Sequence, residues 1–352
     1  MRVSTAFNVG CFLLAFGLGW YIFTTYAIPV DVFGWIFIVA GAGIIVSALI
    51  TWKRPHLPIR GLVGGVLGGF ILSLFVTSGF GFITGGVGPY RAEDTKVYSG
   101  LVTANNIYVE VDNFNGPIQV STWNEAEYEL TLTIVAKGVS QQNAEDKLTD
   151  LKIQLDDQVV QGQQTLTLNY DVPFLAYSTY AIEVDLVLPA DAGIDLDLDS
   201  SNGGIYLTDI SCNSSKMETS NGPLILDNVF ADRITGVTSN GGIEGTVEAP
   251  ETVLSTSNGG ISLTLQCSIS GQYDLSTSNG NVKLKVSSSS QVGYDLDLST
   301  SNGDIDISLP SLEYSQNQRT HKEARSEGFS NKAVQIVIDA STSNGNIEVE
   351  PP

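Results

Sequence analysis

The chain has 352 residues, of which 43% are hydrophobic, and a formal net charge of −21 at pH 7. So much negative charge repels phosphate groups, which argues against nucleic acid and anionic lipid headgroups as partners. High hydrophobic content combined with strong acidity indicates a chain divided into an apolar part and an acidic part. The length allows two or three domains.

Residues 1–88 form the apolar part and contain three hydrophobic segments. Each is about as long as the ~20 residues that a helix needs to cross a bilayer. Their approximate bounds are Val9–Ile28, Val32–Trp52 and Gly61–Thr84. Asp31 is the single acidic residue of this part. The sequence therefore predicts a membrane anchor of three transmembrane α-helices that contact the lipid bilayer.

The orientation of these segments follows from the basic residues. Lys53, Arg54 and Arg60 all lie in the short loop between the second and third segments. Short loops rich in Lys and Arg stay in the cytoplasm. We therefore predict a cytoplasmic N-terminus and an extracytoplasmic location for residues 89–352. A cleaved signal peptide is the alternative for the first segment, and it would leave the rest of the chain on the same side.

The third segment begins with glycines in small-xxx-small spacing, which lets helix backbones approach closely. Gly61, Gly65 and Gly69 lie on one such stripe. Contact among the three helices of a single chain would explain the stripe. Homo-oligomerisation through the same glycines is the alternative.

Residues 89–190 are predicted to hold a short Gly-rich linker, TGGVGPYRAED, and then a small α/β block that caps the repeats. Ser140 is suited to cap a helix with the body QQNAEDKLTDLKIQ. Alternating apolar residues predict strands near Asn106–Val111, Pro117–Thr122, Glu127–Ala136, Thr165–Tyr170 and Ala181–Leu188.

Residues 191–352 repeat a short phrase seven times: Ser or Thr, Ser, Asn and Gly, followed by an aliphatic residue. Successive asparagines are 19, 19, 18, 21, 23 and 42 residues apart, and the last spacing equals two periods of 21. A period near 20 indicates units that bury their apolar faces against one another. The asparagines are Asn202, Asn221, Asn240, Asn258, Asn279, Asn302 and Asn344, and a related phrase contains Asn115.

Apolar residues alternate on both sides of each Asn-Gly pair, so every repeat holds two strands with one buried face apiece. Asn-Gly can close a type I′ hairpin, or it can form the corner of a β-solenoid with one coil per repeat. In a solenoid the glycine would supply a left-handed conformation, and inward Thr and Asn side chains would form ladders. Hairpin turns accept Asp-Gly as readily, so near-identity of Ser-Asn-Gly favours the solenoid.

The predicted fold is therefore an all-β solenoid, a single-stranded β-helix with coils of about 20 residues. A small α/β block precedes it, and transmembrane α-helices lie at the N-terminus. The phrase NFNGPIQVSTW, Asn113–Trp123, resembles the opening motif of the bacterial and archaeal "putative adhesin" repeat domains. Those domains are similar in the order of strands, one helix, more strands and serial SNG coils. The resemblance covers roughly Val97 to Glu350 and implies a β-helix.

Outward carboxylates alternate with the buried residues of several strands. Asp295 and Asp297 precede the sixth corner, Asp304 and Asp306 follow it, and Asp274 holds the position of Asp297 in the preceding repeat. Two carboxylates stacked about 5 Å apart, at the strand spacing, repel each other unless a cation lies between them. Calcium takes several oxygen ligands and is the candidate ion. A solvated acidic face is the alternative.

One segment interrupts the repeats between the sixth and seventh asparagines. It is basic on an otherwise acidic domain, and we predict an exposed loop that leaves one face of the solenoid. A loop that binds a partner is the alternative, since binding residues are often held on loops by rigid scaffolds. The candidate contact residues are Arg319, His321, Lys322 and Arg325.

Cys212 and Cys267 occupy nearly the same position in coils that are three periods apart. In a solenoid that separation is about 14 Å, whereas a disulfide needs Cα atoms within roughly 7 Å. Both thiols are therefore predicted to be free.

Residues 90–352 hold 38 − 1 = 37 acidic and 17 − 4 = 13 basic residues, a net charge of −24. The two histidines of the chain assemble no catalytic set with any specificity, so we predict no enzyme activity, no catalytic residues and no cofactor. The predicted function is binding, adhesion or scaffolding at the cell surface, toward a surface ligand or a protein partner. An envelope sensor that signals through the helices is the alternative, and a β-helical polysaccharide-active enzyme is a distant third.

Overall fold

The computed structural model describes residues 3–25, 42, 63–64, 66–70, 72–73, 88–172 and 174–352. The chain divides into two compact units. One consists of Met1–Pro89 with Gly138–Ser140, and the other consists of Tyr90–Lys137 with Gln141–Pro352.

In the first unit, helix α1 spans Val3–Thr25 and contains most of the first predicted membrane segment. Among the described residues, no helix combines the length and the apolar character needed to cross a bilayer. The second predicted segment, Val32–Trp52, lies outside the described residues except at one position, and Gly61–Thr84 is described only in part. The three-helix anchor therefore stays a prediction that the described helices do not support.

The described part of the third segment contacts α1. A Cβ added at Gly69 would collide with the carbonyl oxygen of Phe12, and one added at Gly68 would lie 3.8 Å from the Phe12 ring. Such a close approach is expected if the glycine stripe packs against another helix of the same chain. Gly61 and Gly65 lie outside the described residues, and homo-oligomerisation through the stripe stays a prediction.

The second unit is built from β-strands with one short α-helix. Helix α2 spans Gln141–Asp150, and two 3-10 turns span Phe174–Thr179 and Phe329–Asn331. The strands are β1 Tyr90–Leu101, β2 Asn106–Asn113, β3 Ile118–Trp123, β4 Glu127–Gly138, β5 Lys152–Val160, β6 Gln163–Asp171, β7 Tyr180–Pro189, β8 Gly193–Ser200, β9 Ile205–Thr219, β10 Leu224–Thr238, β11 Ile243–Glu248, β12 Glu251–Thr256, β13 Ile261–Leu265, β14 Gly271–Thr277, β15 Val282–Lys285, β16 Val292–Thr300, β17 Ile305–Ile307, β18 Leu312–Asn317, β19 His321–Ser326, β20 Val334–Thr342 and β21 Ile347–Glu350.

Each coil places one strand before the Asn-Gly corner and one strand after it, and successive coils pair in parallel. The pre-corner strands β12 and β14 pair in this way, as do the post-corner strands β13 and β15. Strands β9 and β10 each end one coil and begin the next. Parallel pairing confirms the solenoid and excludes the hairpin, whose two strands would run antiparallel.

Inward positions carry the core, and the predicted alternation is confirmed. The residues three positions after each corner asparagine are all buried: Ile205, Leu224, Ile243, Ile261, Val282, Ile305 and Ile347. Cys212 and Cys267 are buried and free, as predicted. Burial raises the pKa of the Cys212 thiol to about 12, so this thiol is poorly reactive at neutral pH.

The corner is held by a buried hydroxyl, while the asparagine faces solvent. In the third coil, the Thr238 hydroxyl donates to the Gly222 carbonyl of the preceding coil at 2.8 Å and accepts from the Gly241 N–H at 3.1 Å. The same donation recurs from Thr219, Thr256, Thr277, Thr300 and Thr342, and Ser200 replaces it in the first coil.

The corner glycines are needed for close approach, so the predicted left-handed conformation is wrong at these positions. A Cβ added at Gly241 would collide with the carbonyl oxygen of Gly222. The left-handed region holds Gly116 of the upstream phrase, with φ 130°, but none of the corner glycines of the seven repeats. Collision with a glycine carbonyl of the neighbouring coil recurs at Gly203, Gly222, Gly259, Gly280, Gly303 and Gly345.

Both ends of the stack contain a coil that is out of sequence order. Strand β20 lies between β14 and β16, and β21 lies between β15 and β17, so the seventh coil inserts between the fifth and the sixth. At the other end, β2 lies between β6 and β8. The last strand along the chain, β21, is therefore internal to the stack.

Antiparallel strands cover both ends of the stack. Strands β4 and β5 pair with β7 and β6 at one end, and β19 pairs with β16 at the other. Such strands cover hydrogen-bonding edges that would otherwise recruit another chain. The segment predicted as an exposed loop is thus the hairpin β18–β19, and its antiparallel register fixes it on β16.

The block that precedes the repeats largely follows the prediction. The five predicted strands are present, and helix α2 begins directly after Ser140. Two predictions are wrong. Residues from Tyr90 form β1 rather than a linker, and the end of the predicted helix body forms β5. The nine residues of β5 pair with the nine of β6, so strand pairing overrides the helix propensity of LKIQ.

Candidate functional site on the acidic outer face

The predicted asparagine ladder exists, but it runs along the surface and not inside the coils. Six of the seven corner asparagines donate a side-chain N–H to the side-chain oxygen of the asparagine in a neighbouring coil at 2.9 to 3.0 Å. Asn202, at the end of the ladder, donates instead to the Phe114 carbonyl oxygen at 3.3 Å. The order along the stack is Asn202, Asn221, Asn240, Asn258, Asn279, Asn344 and Asn302. Asn115 is outside the ladder and donates to the Tyr180 carbonyl at 2.6 Å.

Outward side chains of the pre-corner strands form rows, because parallel coils stack in register. One row, which we call the acidic row, consists of Glu323, Asp297, Asp339 and Asp274, on β19, β16, β20 and β14. Asp274 and Asp297 therefore do not stack on each other as expected, since Asp339 of the inserted coil lies between them.

Crowding within the acidic row is visible at its third member. Burial first, and then the carboxylates of Asp297 and Asp274, raise the pKa of Asp339. Like charges at the strand spacing disfavour the ionised form, and a bound cation would relieve that repulsion.

The basic residues of the β18–β19 hairpin pair with the aspartates that were the calcium candidates. Arg319 lies 3.0 Å from Asp304, and Arg325 forms an ion pair with Asp295. The other candidates are placed differently: Lys322 lies opposite Leu298 in the backbone register, and Asp306 lies opposite Glu348. The predicted calcium ligands and the predicted partner loop thus lie on one surface, where two arginines neutralise the charge of two aspartates. Calcium binding and partner binding both stay predictions.

His321 lies at the centre of the densest group of ligand atoms. Its Nε2 atom is 3.2 Å from Asp297 Oδ1 and 3.6 Å from Glu323 Oε1. Ser315 Oγ donates to the other carboxylate oxygen of Glu323 at 2.8 Å. Among the described residues, these three side chains are the group whose potential ligand atoms all lie within 4.8 Å of one another.

Sequence reasoning missed two members of the acidic row. Asp339 could have been found, because it stands five residues before its corner asparagine, as Asp274 and Asp297 do. Glu323 could not, because its place beside Asp297 depends on the antiparallel register of β19, and the repeat does not encode that register.

Fold and surface together define a β-solenoid repeat domain with capped ends and an acidic outer face. A family model, Toastrack DUF4097, matches residues 105–350. Since this is more than half of the chain, the chain belongs to the Toastrack DUF4097 family. No curated protein matches the chain.

Several solved structures are similar to this chain at low identity. One is a "putative cell adhesion protein" from Clostridium sporogenes, with 11% identity and a TM-score of 0.39, covering 74% of this chain and 100% of that one. Another is a "putative adhesin" from Bacteroides fragilis, with 14% identity and a TM-score of 0.37, covering 75% of this chain and 100% of that one.

Proposed function

We propose that this protein is a membrane-anchored, extracytoplasmic repeat domain that binds, adheres or scaffolds at the cell surface without catalysis. Its rigid stack of coils presents the outward side chains of the pre-corner strands to a ligand or a protein partner. Binding residues are commonly held in place by scaffolds of this kind.

The observation that carries this proposal is a contrast between two adjacent rows. Four residues before each corner asparagine, the side chain points inward, and the row is apolar: Leu198, Met217, Gly236, Leu254, Leu275, Ala340 and Leu298. One residue earlier the side chain points outward, and the row changes chemistry from coil to coil: Asp197, Lys216, Thr235, Val253, Asp274, Asp339 and Asp297. Packing between coils requires apolar residues in the inward row. It places no such requirement on the outward row, whose side chains can therefore be chosen to fit a partner.

The exposure of the outward carboxylates supports a non-catalytic role. The side chain of Asp297 is 59% exposed and that of Glu323 is 40% exposed. A general acid and base in glycoside cleavage are tuned in a cleft that excludes water. Side chains as open to solvent as these are better suited to binding than to proton transfer.

Support for the anchor and for the outward location comes from the sequence. Residues 1–88 hold three apolar segments and a loop that contains Lys53, Arg54 and Arg60. Because basic loops stay in the cytoplasm, the third segment would deliver the solenoid to the outside.

Protease treatment of intact cells tests this location. The chain would carry one epitope tag before Met1 and a different tag after Pro352, each on a flexible linker. We expect the protease to remove the C-terminal tag and to spare the N-terminal tag and a cytoplasmic marker protein. The matched control is the same culture lysed before treatment, in which both tags are lost.

Survival of the C-terminal tag in intact cells, with loss only after lysis, would contradict the proposal and exclude adhesion. If the tag is removed, exchange of residues 1–88 for an unrelated membrane anchor separates the two remaining roles. An adhesin or scaffold keeps its binding after the exchange, whereas a sensor that signals through its own helices loses its response.

A further inference from the structure

We propose that Asp297, His321 and Glu323 form a binding site for a first-row divalent metal ion of the Zn²⁺ class. The site lies on the outer face of the C-terminal coils, where the hairpin strand β19 pairs with β16. It does not depend on the proposed surface role, since it follows from these three side chains alone.

The interatomic distances match a metal site that needs little rearrangement. Zinc binds imidazole nitrogen and carboxylate oxygen at about 2.0 to 2.2 Å, so neighbouring ligand atoms of a tetrahedral site are about 3.3 Å apart. The Nε2 atom of His321 lies 3.2 Å from Asp297 Oδ1 and 3.6 Å from Glu323 Oε1. The three ligand atoms all lie within 4.8 Å of one another. Rotation of the Asp297 and Glu323 side chains would therefore be enough to bring their two carboxylate oxygens to the tetrahedral spacing.

The imidazole decides which metal this site favours. Calcium takes six to eight oxygen ligands, whereas one nitrogen and two carboxylates are typical of zinc and related transition metals. Aspartates alone had suggested calcium, and the hairpin changes the donor set by bringing His321 to Asp297. Three protein ligands leave a fourth position for water, as the exposure of these side chains permits.

The backbone holds the ligands in place. Asp297 is opposite Glu323 in the antiparallel register of β16 and β19, and Ser299 is opposite His321. The two hairpin ligands are therefore two residues apart on one strand face. The hydrogen bond from Ser315 to Glu323 Oε2 leaves Oε1 directed at His321, and such outer contacts orient the ligands of metal sites.

A protonated imidazole between two carboxylates would produce similar contacts without any metal. The two arrangements differ in what they bind. The ion pair needs a charged His321 and takes up no metal, whereas the metal site needs a neutral imidazole and releases protons when Zn²⁺ binds.

Calorimetric titration of the full-length chain with zinc chloride tests the proposal. The protein would be purified in detergent without a polyhistidine tag and treated with a chelator beforehand. We expect a site that binds one Zn²⁺ per chain and has no comparable affinity for Ca²⁺. His321→Gln and Glu323→Gln should each weaken Zn²⁺ binding at least about tenfold.

The matched control is Glu251→Gln, which removes one negative charge from an exposed carboxylate that pairs with Arg233 on other coils, outside the proposed site. It should leave Zn²⁺ binding unchanged, and unfolding curves would establish that all variants are folded. The proposal would be overturned by no Zn²⁺ uptake by the unsubstituted chain, by equal weakening in the control variant, or by Zn²⁺ affinity that survives His321→Gln. Calcium binding that exceeds zinc binding would also overturn it and would favour an all-oxygen site in the acidic row.

Discussion

Replacing Gly241 with alanine is expected to lower the free energy of unfolding by about 3 kcal/mol or more, which is at the upper end for overpacking. The added methyl group would collide with the carbonyl oxygen of Gly222 in the preceding coil. That carbonyl cannot move away, because it also accepts the hydrogen bond of Thr238. The coils would have to separate, and the parallel pairing on both sides of the corner would weaken. Urea unfolding followed by the β-sheet circular dichroism signal measures the loss.

The adjacent glycine provides a matched control for this prediction. A Cβ added at Gly242 would lie 3.4 Å from the Gly260 carbonyl oxygen and 3.8 Å from Glu244 Oε1, which is ordinary contact. Gly242→Ala should therefore change the free energy of unfolding by no more than about 0.5 kcal/mol. Equal destabilisation by the two alanines would contradict this explanation. The recurrence of glycine at every corner would then reflect backbone flexibility and not the contact between coils.

The coil itself was predictable from the sequence, because its period and its alternation both follow from burial. Apolar residues stand at alternate positions on each side of every Asn-Gly pair. Only one face of each strand can bury them, and the structure buries that face. The alternation of buried and exposed positions does not continue through the corner. Thr238 is buried, but Ser239 and Asn240 are both exposed, since the chain leaves strand geometry there. A rule based on period two therefore placed the asparagines inside, where the corner threonines and Ser200 lie instead.

The order of the coils was not predictable from the repeats. Every corner presents Asn, Gly and a donating hydroxyl to its neighbours, from Ser200 in the first coil and from Thr in the other six, so any coil can stack on any other with the same hydrogen bonds. The segment from Ser311 to Ala333 decides the order. It folds back as a hairpin on one edge of the sixth coil, which leaves the other edge of that coil, together with the fifth coil, to pair with the seventh.

The candidate site depends on that same hairpin. The sequence identified Asp297 and His321 separately, one as a calcium ligand and the other as part of a partner loop. Their proximity results from an antiparallel register between β16 and β19, which no repeat encodes. A site formed within the coils can be read from repeat positions, as Asp339 illustrates. A site formed where a repeat meets an insertion needs the three-dimensional structure.

The second large effect is expected at Thr238, where valine would keep the volume and remove the hydroxyl. The substitution leaves the Gly222 carbonyl and the Gly241 N–H without the partner that joins them. A buried backbone group without a partner costs about 1 to 3 kcal/mol, so the loss should be about 2 to 4 kcal/mol. Urea unfolding would show the transition at lower denaturant concentration, with a similar slope if the variant folds to the same structure.

Thr252→Val is the matched control, because it makes the same change at a second buried threonine. Thr252 is 0% exposed, and its hydroxyl has no hydrogen-bond partner among the described residues. Removing a buried hydroxyl that makes no hydrogen bond should be neutral or should stabilise the fold by about 1 kcal/mol. The difference between the two valine variants therefore isolates the hydrogen bonds of Thr238 from its volume. Equal effects at both positions would mean that the hydrogen bonds of the corner hydroxyl contribute nothing to stability. The apolar core and the strand pairing alone would then hold the coils together.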